Sequence, residues 1–126
     1  MAEAEAAGGT TTENRKLEAD TIMETIAFRM QLDPGKRDEY ERRHREIWPE
    51  LASALREAGV SEYRIFLDET THHLFAVLER RDDHTMDALP ELPVMRKWWD
   101  FMADIMQTDA HNVPLQQPLV QVFQLP

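Results

Sequence analysis

Cysteine is absent from this 126-residue chain. Its absence excludes disulfide staples, thiolate catalysis and cysteine-ligated zinc or iron–sulfur centres; no oxidising compartment is required, so the cytoplasm is the default location. Long apolar runs are missing too, and nothing approaches the roughly 18 residues that a membrane-spanning helix needs. Basic side chains are in deficit, with 14 Lys and Arg against 24 Asp and Glu and a formal charge of −10. That balance repels nucleic acid and anionic lipid headgroups at long range, which removes polyanionic partners and membrane surfaces from the candidate functions. What is present is ordinary for a globular protein, 42% hydrophobic and 30% charged. The length suits one domain with a real core and is too short for two.

Residues 1–22 read differently from the rest, with an Ala/Glu alternation, Gly8-Gly9 and Thr10-Thr11-Thr12. They have little to bury and read as a flexible tail, or as an extension ahead of an alternative start at Met23. Glu3, Glu5, Glu13, Glu18 and Asp20 outnumber Arg15 and Lys16 there, the opposite of an organellar presequence, and no apolar stretch suggests a secretory signal. The domain proper is expected over residues 23–126.

Within it, Ile26, Phe28, Met30 and Leu32 alternate with Ala27, Arg29 and Gln31, the period of a strand with one buried face. Asp33-Pro34-Gly35 opens a helix expected over about 35–58, stopped by Gly59 and kinked or broken at Trp48-Pro49 because proline disfavours helical geometry just before it. Residues 63–67 and 74–78 flank Asp68-Glu69-Thr70-Thr71 as a hairpin. A short helical piece follows Asp82-Asp83, punctuated by Pro90 and Pro93; then come an amphipathic helix over 94–106 and a last strand over about 120–125. The order strand, helix, strand, strand, helix, strand predicts an α+β, ferredoxin-like split βαβ sandwich (βαββαβ) with both helices on one face of the sheet. The opposite face is left uncovered, and a second copy of the chain is its simplest cover, predicting a homodimer.

Two segments carry the chemistry. Tyr40, His44, Ile47, Leu51 and Leu55 align along one stripe of the first helix, so Tyr40 and His44 point inward at its open end. Glu41, Arg42, Arg43, Arg45 and Glu46 read as a solvated face. A core histidine bonded to a carbonyl is the plain alternative for His44; Tyr40 one turn away favours a site as well. His72 and His73 are adjacent on a predicted strand and so face opposite ways, which argues against a metal, and none is expected. On the second helix Trp98 and Trp99 lie about 100° apart, so one of them sits at the edge of the stripe formed by Met95, Met102, Ile105 and Met106. Aromatic faces beside titratable groups suit carbohydrate, which offers an apolar C–H face and a rim of hydroxyls.

Taken together, Tyr-x-Arg-Arg-His-x-x-Ile-Trp-Pro-Glu-Leu at 40–51, Tyr-x-Ile-Phe-Leu-Asp at 63–68, Leu-Phe-Ala at 74–76, Arg-Lys-Trp-Trp-x-x-Met-x-Asp-Ile-Met at 96–106 and the closing Val-Phe-Gln-Leu-Pro resemble the L-rhamnose mutarotase family. The likeness runs from about Met23 to Pro126. It implies a dimeric α/β-barrel of ferredoxin-like subunits that interconverts the α and β anomers of L-rhamnose without metal or cofactor. It implies His44 as the proton donor, and Tyr40, Tyr63, Trp98 and Trp99 as substrate contacts. Phe66 departs from the pattern, where relatives can carry a tyrosine; one hydroxyl contact is thereby removed. Mutarotation needs a proton shuttle and room for rotation rather than a nucleophile, and positioned acid–base groups supply about 10²–10⁴-fold. Two other classes use the same features: a haem-binding or cofactor-independent monooxygenase of the dimeric α+β barrel class, and a non-catalytic interaction module with an aromatic core.

Overall fold

The computed structural model describes residues 22–126, so the reading of residues 1–21 as a tail lies outside the described residues. Four strands form one antiparallel sheet in the order β2-β3-β1-β4. Strand β1 (Met23–Gln31) pairs along its whole length with β3 (His73–Arg81), from Met23 opposite Arg81 to Gln31 opposite His73. Strand β2 (Val60–Leu67) pairs with the other edge of β3, with an irregularity between Val60 and Glu62, and β4 (Gln117–Leu119) closes the far edge on β1.

Register sorts the side chains into two faces, since successive residues of a strand point to opposite sides. Inward rows run Tyr63–Leu78–Ile26, Ile65–Ala76–Phe28 and Leu67–Leu74–Met30. Leu74, Ala76 and Leu78 of the central strand are buried, and Leu32, Leu51, Met102 and Ile105 pack above them. Helices α1 (Arg37–Arg45), α2 (Pro49–Glu57) and α3 (Pro93–Met102), with a 3₁₀ turn at Met86–Glu91, lie on this side. Among the described residues no layer covers the outer rows, Phe66–Phe75–Arg29–Gln117 and Arg64–Val77–Ala27–Leu119, and Phe66, Val77 and Leu119 remain exposed.

Several sequence expectations shift. The helix expected over about 35–58 is broken ahead of Pro49, as the proline predicts, into α1 and α2. Pro49 takes the first position of α2 and holds Trp48 in extended geometry (φ −63°, ψ 129°), so α1 ends at Arg45. Gly35 turns into α1 with φ +79°, and Gly59 ends α2 with φ +111°, where an added Cβ would lie 3.1 Å from that of His84; a side chain there would be strained by the backbone and crowded by its neighbour. The last helix stops at Met102 rather than at 106; Ile105 and Met106 are still buried, beyond the helix. His72 sits in the hairpin loop with φ +64°, ahead of β3, so it and His73 are not both strand residues. The expected strand over 120–125 is also misplaced. The chain leaves β1 after Leu119, and Val120, Val122, Phe123 and Leu125 stay 71–92% exposed. Strand-forming side chains without a neighbour to pair with do not make a strand.

Candidate active site

Helix α1 is polar apart from Tyr40, which it buries together with Arg43, and it places Tyr40 and His44 one turn apart. Their rings stack with centroids 4.3 Å apart. Trp98 of α3 meets the imidazole edge-on at 5.3 Å and an interplanar angle of 89°, a favourable aromatic geometry. Behind Trp98 stand Trp48, edge-on at 5.1 Å, and Phe101 at 5.7 Å. Trp98 is therefore the core member of the tryptophan pair, 6% exposed. Trp99 is half-buried, with the Arg96 guanidinium 5.4 Å above its ring.

The His44 ring has one fixed partner. Its Nδ1 lies 2.9 Å from the Tyr40 carbonyl oxygen. A carbonyl can only accept, so Nδ1 carries the hydrogen and the neutral ring keeps its lone pair at Nε2. No hydrogen-bond partner takes Nε2 among the described residues. Burial pushes the imidazole below its ordinary value of 6.5, and the bond to the Tyr40 carbonyl opposes that shift more weakly. At neutral pH His44 is thus an uncharged ring with a free basic nitrogen.

The phenols behave in the opposite sense. Burial first, and then the nearby Tyr63, raise Tyr40 well above the usual phenol range. Tyr63 stands on the inward row of β2; although 37% of it is exposed, desolvation pushes it up to about 12. Both are protonated near neutrality and can donate a hydrogen bond or accept one, but neither is a base there. His44, Tyr40, Tyr63, Trp98 and Trp99 all line one open groove of about 1540 Å³ between the sheet and the helices. Ligand pockets are commonly about 300–1,000 Å³, so this groove has ample room for a small-molecule ligand. Phe66, 57% exposed on the edge strand β2, borders it. Among the described residues no group of three or more His, Asp or Glu side chains converges as a metal site would require.

One residue read as solvent-facing is not. Arg43 is 9% exposed. Its guanidinium donates to Glu39 Oε2 (2.7 Å), to both Asp104 oxygens (2.8 and 3.2 Å) and to the Phe101 carbonyl (2.7 Å), and it lies 4.5 Å from the Phe101 ring centroid. The sequence held a clue: three residues past Tyr40, Arg43 falls only about 60° from it around the helix, at the margin of the apolar stripe. Trp48, read as a helix-breaking position and as part of the motif at 40–51 but given no place in the site, backs Trp98.

Residues 25–125 match the L-rhamnose mutarotase family. This chain belongs to that family. A relative from Paraburkholderia phymatum, an L-rhamnose mutarotase, is 70% identical over 103 residues, covering 82% of this chain and 95% of its own length. Among solved structures, the L-rhamnose mutarotase of Formosa agariphila is 45% identical and superposes with a TM-score of 0.75, covering 82% of this chain and 99% of that one. A protein described as a putative antibiotic biosynthesis monooxygenase from Bacteriodes thetaiotaomicron shares the fold at a TM-score of 0.52 with 16% identity over 80% of this chain and 90% of its own. That likeness extends to the ferredoxin-like architecture alone.

Proposed function

We propose that this chain interconverts the α and β anomers of L-rhamnose by acid–base ring opening and closing, with no metal or cofactor. The observation that carries the chemistry is the His44 ring, held by the Tyr40 carbonyl at Nδ1 and free at Nε2 beside protonated phenols and an aromatic wall. Nε2 takes the proton of the anomeric hydroxyl. The imidazolium so formed returns it to the ring oxygen as the C1–O5 bond breaks, leaving the open-chain aldehyde. Rotation about C1–C2 presents the other carbonyl face, and the same transfers in reverse close the ring. Protons and electrons balance at every stage, and His44 acts as base and then as donor in each direction.

Tyr40 and Tyr63 suit the sugar hydroxyls, and the half-exposed Trp99 suits its apolar face. A second copy of the chain would cover the outer sheet face, giving a homodimer. The cytoplasm fits a cysteine-free chain; among the described residues no helix is long and apolar enough to cross a membrane. Saturation-exchange NMR on ¹³C-labelled L-rhamnose tests the reaction directly. The parent should accelerate anomer exchange and His44→Ala should lose at least about a hundredfold of the enhancement; equal exchange with both proteins would dispose of the role.

A further inference from the structure

Helix α1 carries His44, and α3 carries the tryptophan that His44 touches. The ties between these helices are specific. Arg43, adjacent to His44 in sequence, reaches across to the C-terminal end of α3. There it donates one hydrogen bond to the Phe101 carbonyl at 2.7 Å and a bidentate pair to Asp104 at 2.8 and 3.2 Å. The Phe101 carbonyl belongs to the last turn of α3, whose acceptors have no partner within the helix, and a cation there also complements the helix dipole. Glu39, one turn back on α1, accepts the Nε hydrogen at 2.7 Å and so fixes the direction of the fork. The Phe101 ring lies under the guanidinium at 4.5 Å and contacts Trp98 at 5.7 Å. One planar group thereby connects the helix bearing the base to the carbonyl, carboxylate and aromatic ring that frame its tryptophan wall.

We propose that Arg43 is a positioning residue for the reaction: it locks α1 against the end of α3 and so fixes the His44 ring against Trp98. A planar guanidinium can satisfy four acceptor contacts on three residues at once, whereas an ammonium has no such fork. Arg43→Lys keeps the charge and loses that geometry. Misplacing a catalytic group by about 1 Å is enough to cost about 10²-fold, so α1 need shift only slightly. The inference rests on the mutarotase reading for its kinetic arm and stands apart from it for its spectroscopic arm.

The experiment compares the parent with Arg43→Lys and with Asp104→Asn, a milder variant at an exposed carboxylate that leaves Arg43 in place. The first readout is the His44 ring resonances in ¹H–¹³C spectra, which sense the stacked Tyr40 ring and the Trp98 edge; the second is the kinetics of L-rhamnose anomer exchange. Folded Arg43→Lys should shift the His44 ring signals and lower kcat about 10- to 100-fold with KM changed less than about threefold. Asp104→Asn should shift the same signals in the same direction by less. Should Arg43→Lys fail to fold, Asp104→Asn carries the decision by itself. Folded variants with parental His44 resonances and parental kcat overturn the proposal. A parent protein inactive on L-rhamnose overturns the mutarotase reading instead, and the ring resonances then decide the positioning role.

Discussion

Replacing Trp98 and Trp99 singly with alanine should produce two different kinds of damage. Trp98 is 6% exposed and its ring meets His44, Trp48 and Phe101 at 5.3, 5.1 and 5.7 Å. Truncating a core tryptophan costs about 3–5 kcal/mol, the lost transfer energy plus the cavity left behind. Each kcal/mol lowers Tm by about 4–8 °C in a domain of 60–100 residues and by less in larger ones. At about 4 °C per kcal/mol for a domain just above that size, the expected fall is about 12–20 °C. Trp99 is half-buried and its clearest partner is Arg96 at 5.4 Å, a cation–π contact worth about 0.5–1 kcal/mol at an exposed site. Trp99→Ala should therefore lower Tm by only a few degrees while weakening L-rhamnose binding, with Trp99→Phe intermediate. Differential scanning calorimetry gives the first quantity and titration calorimetry on the folded variants the second. Equal Tm losses for the two variants, or full sugar affinity in Trp99→Ala, would refute the assignment of one ring to the core and the other to the wall.

Because folding holds the His44 imidazole below 6.5, the acid limb of kcat/KM should lie below pH 6.5 and vanish in His44→Gln; a pH–rate profile with its limb above 6.5 would contradict the neutral-base assignment. The same shift has a stability consequence: below about pH 6.5 the unfolded ring binds more protons than the folded one, so stability falls on acidification until the folded ring also protonates, and His44→Gln should remove that part of the slope in urea titrations. On the outer sheet face, Val77→Lys places a charge in the row Arg64–Val77–Ala27–Leu119; if the proposed homodimer uses this face, the parent should sediment as a dimer and Val77→Lys as a monomer, whereas a monomeric parent would refute the homodimer and a dimeric variant would place the interface elsewhere.

The hydrophobic alternation of β1 was legible because that strand has one buried face, and period two survives whenever burial is one-sided; β3, a continuous apolar run at 74–78, was legible instead as an arm of the hairpin. The hairpin loop was legible from Asp68, whose carboxylate accepts the Thr70 and Thr71 amides and is held below its usual range chiefly by the Thr70 bond, local chemistry that needs no tertiary context. The break at Trp48-Pro49 was also visible, but the helix end was not. Where α1 stops depends on the extended geometry imposed on Trp48 and on the packing of the residues ahead of it. The last strand failed for a different reason. Valine and phenylalanine at 120–125 have the pattern of a strand, but pairing is a property of two segments, and among the described residues this edge of β1 pairs with Gln117–Leu119 alone.

The candidate site divides along the same line. Tyr40 and His44 could be placed together from helical spacing because both belong to one element; the position of Tyr63 and of the tryptophans beside them came only with the resemblance, since no periodicity links β2 and α3 to α1. Spacing also could not say which nitrogen of His44 is free, a matter settled by where the Tyr40 carbonyl lies. Arg43 was misread because charge was taken as a sign of solvent. Its buried position depends on Asp104 and the Phe101 carbonyl, 61 and 58 residues away in sequence. A buried guanidinium is tolerated only where its donors are met by acceptors, and here those acceptors come mostly from the end of another helix. The misreading and the positioning role of Arg43 therefore have one physical origin: its partners are supplied by the tertiary contact that it holds in place.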